Sequence, residues 1–264
     1  MQTINFWNGN KTSARQNYET ELLEACLRVT AKDYGATNLS IDNTNYPLAE
    51  DEGNIFHLGA DILVTVAGNL KFKGKQKIMI KQPLTKGLLG YRLILVRDES
   101  LEIFKTLKSE TQLQQLSIGI PETWADAELF RQNNYNVVEK GTFDDLFTLL
   151  KEKAFDYTAL GVNEIEEVFK QRAEPLGGIS IQPSLMLYYP FPLVFYVNHR
   201  NPALAERIDR ALKILSANGE HDQIFNKSYA DIVQRFALKQ RRCFKLYNPI
   251  LPKEMSSFKP TLLD

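Results

Sequence analysis

At 264 residues the chain is too long for one minimal hydrophobic core and too short for several full domains, so one large or two medium α/β units are expected. Hydrophobic residues make up 44% and charged residues 24%, a composition that buries a real core and excludes an intrinsically disordered chain. Lys plus Arg and Asp plus Glu number 32 each, which argues against nucleic acid or an anionic membrane surface as the main partner.

The run Thr3-Ile4-Asn5-Phe6-Trp7 predicts a first strand. Leu22, Leu23, Cys26, Leu27 and Val29 recur at helical intervals and predict an amphipathic helix reaching about Tyr34, with Gly35 as its stop. Leu39 to Ile41 reads as the next strand, and Ala60 to Val66 as a strand buried in a parallel sheet. A second α/β unit begins with a strand over Leu116 to Ile120. Thr123 is predicted to cap the following helix, which runs to about Arg131, with Asp126 three residues on in a near capping box. Asn136 to Val138 is another strand, and Thr142 is predicted to cap a helix carrying Phe143, Leu146, Phe147 and Leu150. Tyr157 to Leu160 closes the unit, and Lys81 to Gln115 separates the two.

The aromatic run from Tyr188 to Val197, interrupted by Pro190 and Pro192, reads as a strand returning across a hinge. Asn201-Pro202 opens the clearest helix, with Leu204, Ile208, Leu212 and Leu215 on one face and Asn218-Gly219 at its end. A further helix is expected over Gln223 to Leu238. The tail from Tyr247, with Pro249, Pro252 and Pro260, reads as an extended surface segment.

Signatures of catalysis are missing. Gly87-Leu88-Leu89-Gly90 lacks the Lys-Ser/Thr ending of a phosphate loop, and His57, His199 and His221 have no partner at metal-ligand spacing, so they read as non-ligand surface residues. No nucleophile elbow occurs, so the chain reads as a non-enzyme without cofactor or metal. Cys26 and Cys243 are open to two readings, a buried structural thiol at Cys26 or a disulfide between the two. The basic stretch Arg235 to Lys245 holds Phe236, Leu238 and Phe244, and reads as the solvated end of a packed helix rather than an anion-binding patch. No apolar run of membrane-spanning length is present. The chain opens on a strand with no signal segment ahead of it, so it is expected to be cytoplasmic or to have lost a leader that Met1 replaces. The sequons at Asn10, Asn38 and Asn226 read as chance patterns.

Four segments, in this order, carry a family resemblance: Pro83-Leu84-Thr85-Lys86-Gly87-Leu88-Leu89-Gly90-Tyr91-Arg92, the Gly119 to Trp124 turn with Asp126, the Phe155-Asp156-Tyr157 strand start, and the Asn248-Pro249-Ile250-Leu251-Pro252 tail. Together they resemble the solute-binding proteins related to the polar amino-acid binders of bacterial ABC transporters, over nearly the whole chain. The resemblance implies an α/β, two-lobed type II periplasmic-binding-protein fold whose lobes are joined by two crossing strands. Residues 1–92 and 196–264 would form lobe 1, and 93–195 lobe 2. It further implies a periplasmic monomer, its signal peptide removed, that binds a small polar solute in the interlobe cleft and hands it to a membrane permease.

Ligands of open α/β sheets lie beyond the carboxyl ends of strands, next to helix starts. On that basis the candidate ligand contacts are Trp7, Asn8, Arg15, Thr65 and Asn69 in lobe 1 and Thr123, Trp124 and Gly161 in lobe 2. Each has a structural alternative: Trp7 and Trp124 as packing residues, Arg15 as a solvated charge, and Asn8, Thr65, Asn69 and Gly161 as turn residues. Arg92 reads as an interlobe salt-bridge former, and Lys81 and Lys86 as exposed. Amino-acid binders hold the ligand ammonium with an acid after a late lobe-two strand. Here the strand Tyr157 to Val162 is followed by neutral Asn163, with Glu164 one step on, which argues against a zwitterionic amino acid. Glu122, Asp126 and Glu128 at the start of the helix after Thr123 would repel an anion, which favours a neutral or cationic ligand. Two other readings stand beside transport: a sensory module of the same fold, and a small dehydratase-like enzyme for which Glu164 and Lys81 are the nearest acid-base groups.

Overall fold

The structure, a computed structural model, describes residues 2–264; Met1, the first residue of the expected lobe 1, lies outside the described residues. The elements begin with β1 (Gln2–Trp7), α1 (Ser13–Val29), α2 (Ala31–Tyr34), β2 (Thr37–Asp42), α3 (Ala49–Gly53), β3 (Ile62–Val66) and β4 (Lys77–Met79). Next come β5 (Tyr91–Arg97), α4 (Leu101–Thr106), α5 (Glu110–Gln114), β6 (Ser117–Ile120), α6 (Ala125–Gln132), β7 (Asn136–Glu139), α7 (Leu146–Lys151), β8 (Tyr157–Gly161) and α8 (Ile165–Val168). The chain ends with β9 (Ile179–Tyr188), β10 (Leu193–Asn198), α9 (Pro202–Ala217), α10 (Glu220–Tyr229), α11 (Ile232–Arg235) and β11 (Arg242–Lys245).

Two compact units result. The first comprises residues 1–86, 192–231 and 252–258, and the second 87–191, 232–251 and 259–264. In the first, the sheet order is β2-β1-β3-β10-β4, with β1 parallel to both β2 and β3, and β10 antiparallel to β3 and β4. Helix α1 starts where Thr12 accepts a hydrogen bond from the Arg15 amide, and it buries Leu22, Leu23 and Cys26. Helix α9 has the expected cap: Asn201 accepts from the Leu204 amide at 3.2 Å, Pro202 takes the first turn, and Gly219 (φ 79°) supplies the left-handed exit.

The second unit has the order β11-β9-β5-β8-β6-β7. Its parallel pairs are β6 with β7 and β8, and β11 with β9; β5 runs antiparallel to both β8 and β9. The β5 to β9 pairing skips between Leu93 and Leu95, opposite a bulge at Pro183. Proline has no amide to give the ladder, and the Gln182 side chain compensates by accepting from the amides of Ser184 (2.8 Å) and Leu185 (2.7 Å).

Several local expectations need correction. Thr123 does not cap α6: it is exposed with φ 71°, and Trp124 occupies the cap position without a side-chain bond. At the next helix the roles are reversed, since Asp145 accepts from the Thr142 amide and hydroxyl and the helix starts only at Leu146. The helix expected over 223–238 is divided into α10 and α11, and Ala237 takes a left-handed conformation. The run expected as one strand from Tyr188 to Val197 breaks at Tyr189–Pro192 into the end of β9 and the start of β10.

The basic stretch beyond α11 is a strand rather than a solvated helix end. Residues 242–245 form β11 parallel to β9, which groups this part of the tail with the second unit. Arg241 there donates to the carbonyls of Phe236 (2.7 Å), Gln182 (2.5 Å) and Leu185 (3.1 Å), and its burial lowers its pKa to about 10. Both cysteines are free thiols, which settles the alternative left open by the sequence.

Candidate functional site

In the first unit, the carboxyl end of β1 leads directly into the start of α1, and a polar cluster forms at that junction. Trp7 is buried at 2% exposure, and its indole N–H donates to the Thr44 carbonyl at 3.0 Å. Asn8 is fully buried; its amide N–H groups donate to the Gln16 carbonyl (3.0 Å) and the Thr20 hydroxyl (3.1 Å), and its Oδ1 accepts from Lys11 (3.0 Å). Lys11 also pairs with fully buried Glu19 at 2.5 Å, and Arg15 grips the other Glu19 oxygen through Nε (3.0 Å) and Nη2 (2.7 Å).

Burial brings the Lys11 pKa down to about 8, against the opposing pull of Glu19. Lys11 and Glu19 were not singled out by the sequence reading. The signal available was the four-residue spacing of Arg15 and Glu19 on one helix face.

Thr65 and Asn69 lie at the carboxyl end of the neighbouring strand β3. Asn69 donates to the Thr65 hydroxyl (2.8 Å) and accepts from the Lys71 amide (3.0 Å), which starts a short 3-10 turn. Lys71 in turn pairs with Glu52 at 2.7 Å, and the same Glu52 oxygen accepts from Asn10 at 2.9 Å. The structure thus brings Trp7, Asn8 and Arg15 into one cluster and sets Thr65 and Asn69 at the end of the adjacent strand in the same sheet.

In the second unit, Thr123 and Trp124 follow β6, and Gly161 ends β8. The Thr123 amide donates to Glu139 at 3.1 Å. Trp124 is half-buried and stacks on Phe143 with centroids 5.4 Å apart and an interplanar angle of 25°, while Arg172 lies 5.0 Å from the Phe143 ring. Gly161 has no room for a side chain. A Cβ there would stand 2.6 Å from Asn163 Oδ1, 2.8 Å from Leu89 Cδ1 and 3.2 Å from Glu164 Oε1.

Arg92, expected as an interlobe salt-bridge former, finds its acids within its own unit. Its guanidinium lies 3.0 Å from Asp126 and 3.7 Å from Glu164, and its carbon sits 5.2 Å from the rings of both Tyr189 and Phe191. The Tyr189 hydroxyl donates to the same Asp126 oxygen. Burial by itself would lower the Arg92 pKa, but Tyr189, Asp126 and Glu164 reverse that and raise it above the ordinary arginine value. Two buried polar atoms here have no partner, Arg92 Nε and Asn163 Oδ1. Asp126 is therefore an internal ion-pair residue rather than the second half of a capping box. Adjacent strands β5 and β8 place Arg92 opposite Gly161, which is why the group assembles.

Among the described residues, no group of three or more His, Cys, Asp or Glu side chains is arranged to hold a metal ion. No helix among the described residues is long and apolar enough to cross a membrane.

No protein-family model matches the sequence, and no curated protein matches it. Solved structures do match. A Salmonella typhimurium periplasmic binding protein with high arginine specificity is 16% identical, with 86% of this chain and 99% of that one covered and a TM-score of 0.57. This chain has the periplasmic-binding-protein fold. An arginine third transport system periplasmic binding protein from Legionella pneumophila covers 86% of this chain and 100% of its own at 12% identity, with a TM-score of 0.59. A histidine kinase sensor domain with similarity to periplasmic binding proteins is 17% identical, covers 85% of this chain and 95% of its own, and also scores 0.59.

Proposed function

We propose that this chain binds a small polar solute and serves uptake through an ABC transporter. The observation that carries the reading is that each unit sets candidate contact residues at or just beyond the carboxyl ends of its parallel strands, the place where open α/β sheets take ligands. Trp7, Asn8, Arg15, Thr65 and Asn69 are the first unit's contribution, and Thr123, Trp124 and Gly161 the second's. The fold supports the reading, since neighbours of that fold are periplasmic binding proteins of transport systems. A periplasmic monomer that meets a membrane permease is the corresponding cellular role, with binding rather than catalysis as its activity.

A sensory role is the second reading, favoured by the likeness to a histidine kinase sensor domain. A thermal-shift screen against amino acids, polyamines, short peptides, sugars and organic acids tests solute binding, because a ligand of the folded state raises the melting temperature. A saturable rise for one class is the expected result. No rise in any class removes the binding reading. For a hit, loss of affinity in Trp124→Ala tests the second unit's contribution, and an unchanged affinity there removes Trp124 from the site.

A further inference from the structure

We infer that Arg92 is an internal occupant of a cation-recognition recess in the second unit, and that it thereby excludes guanidinium-bearing solutes from that recess. The statement about solutes rests on the solute-binding reading above; the existence of the recess does not.

The surroundings of the guanidinium are those a guanidinium ligand would require. Two carboxylates, Asp126 at 3.0 Å and Glu164 at 3.7 Å, supply the charge. Two aromatic rings, Tyr189 and Phe191, each 5.2 Å away, supply the cation–π surface. The rings meet at 71° and so form a corner rather than a flat wall. Tyr189 orients Asp126 by donating to its Oδ1. Gly161, paired opposite Arg92, leaves no room for a Cβ, which would stand 2.6 Å from the unpartnered Asn163 Oδ1 and 3.2 Å from Glu164 Oε1.

Arg92 fills this recess incompletely. Its side chain is 3% exposed and its Nε has no acceptor, while Glu164 stands beyond hydrogen-bond distance from it. One cation therefore faces two carboxylates. The recess is also not sealed, because the side chains of Asp126 and Glu164 retain 13% and 17% exposure. A guanidinium is planar and carries its donors in a fixed fork, so a recess shaped around it discriminates against neutral groups of the same size. Removing the Arg92 side chain leaves a cavity of the deleted group's shape, which a small molecule of that shape enters.

The test is Arg92→Ala with ethylguanidinium as probe and ethylurea, its neutral analogue, as control, each added at millimolar concentration in thermal-shift and calorimetric titrations. Ethylguanidinium is expected to raise the melting temperature of the variant by about 3 °C at ten times its dissociation constant, to leave the unaltered protein unmoved, and to outperform ethylurea. Equal effects of the two compounds on the variant, no effect of either, or an equal ethylguanidinium effect on the unaltered protein would each overturn the inference. Should Arg92→Ala not fold in buffer, its refolding yield is the readout: recovery with ethylguanidinium over ethylurea supports the recess, and equal yields overturn it. Neither probe is a candidate solute, so an empty solute screen and a failed probe titration are separate results.

Discussion

Glu19→Gln offers the most direct check on the polar cluster that follows β1. Glu19 has no exposed side-chain surface, yet it holds Lys11 at 2.5 Å and Arg15 at 2.7 Å. The amide is nearly isosteric with the carboxylate, so packing is conserved while the charge is lost. Arg15, with 13% of its side chain exposed, retains a path to water; Lys11, with 4%, does not. Removing one partner of a buried pair and stranding the other costs ~3–5 kcal/mol. For a chain of this size that corresponds to a fall in melting temperature of about 10 °C. The assay is reversible chemical denaturation beside a thermal melt. Adding Lys11→Met should recover about half of the loss, because the stranded ammonium is then gone. A fall of less than about 2 °C in the single variant, or no recovery in the double, would refute the view that Glu19 exists in the fold to neutralise Lys11.

Further outcomes concern pH, backbone and thiols. Lys11 has a folded pKa of about 8, below its unfolded value of 10.5, so the unfolded chain holds its proton more tightly. Its contribution to stability is therefore most unfavourable below pH 8 and is relieved as pH rises toward 10.5. The stability of the natural protein relative to Lys11→Met should rise by ~1 kcal/mol between pH 8 and 9, and a flat difference over that window would contradict the buried-ammonium geometry. Gly161→Ala sets a Cβ 2.6 Å from Asn163 Oδ1 and should cost ~1–3 kcal/mol by denaturant midpoint. Thr123→Gly relieves a left-handed β-branched residue at φ 71° and should stabilise by ~1 kcal/mol in the same measurement. Burial pushes the Cys26 thiol well up and the Cys243 thiol to about 11. A thiol reagent at neutral pH should therefore label the folded protein slowly, and label both cysteines at once after denaturation.

Much of the architecture was readable from local pattern. Strands β1, β3, β6, β7 and β8 were anticipated within a residue or two because their β-branched and aliphatic runs are bounded by turn residues, and α9 was readable to both ends from Asn201-Pro202 and Asn218-Gly219. These signals depend on neighbours in sequence, and a single chain displays them. The strand β5, over Tyr91 to Arg97, is less legible, because Arg92 and Arg97 flank its apolar run Leu93 to Val96 and the glycines Gly87 and Gly90 precede it. Strand β9 escaped because Pro183 argues against a strand, and only the bulge opposite Leu93 and Leu95 makes that proline tolerable.

The candidate residues illustrate the same division. That Trp7, Asn8, Thr65, Thr123 and Gly161 stand near the carboxyl ends of parallel strands follows from strand–helix alternation alone. That Arg15 is bound to Glu19 was latent in a four-residue spacing. The grouping of Arg92 with Asp126, Glu164, Tyr189 and Phe191 was not latent in any spacing, because these five side chains come from four separate stretches of sequence. Strand pairing sets Arg92 opposite Gly161, and packing then closes the acids and rings around a guanidinium that is only 3% exposed. Local sequence chooses the backbone conformation of each segment. Which charges neutralise one another is decided by the fold, since only burial makes an unpaired charge expensive enough to select its partner.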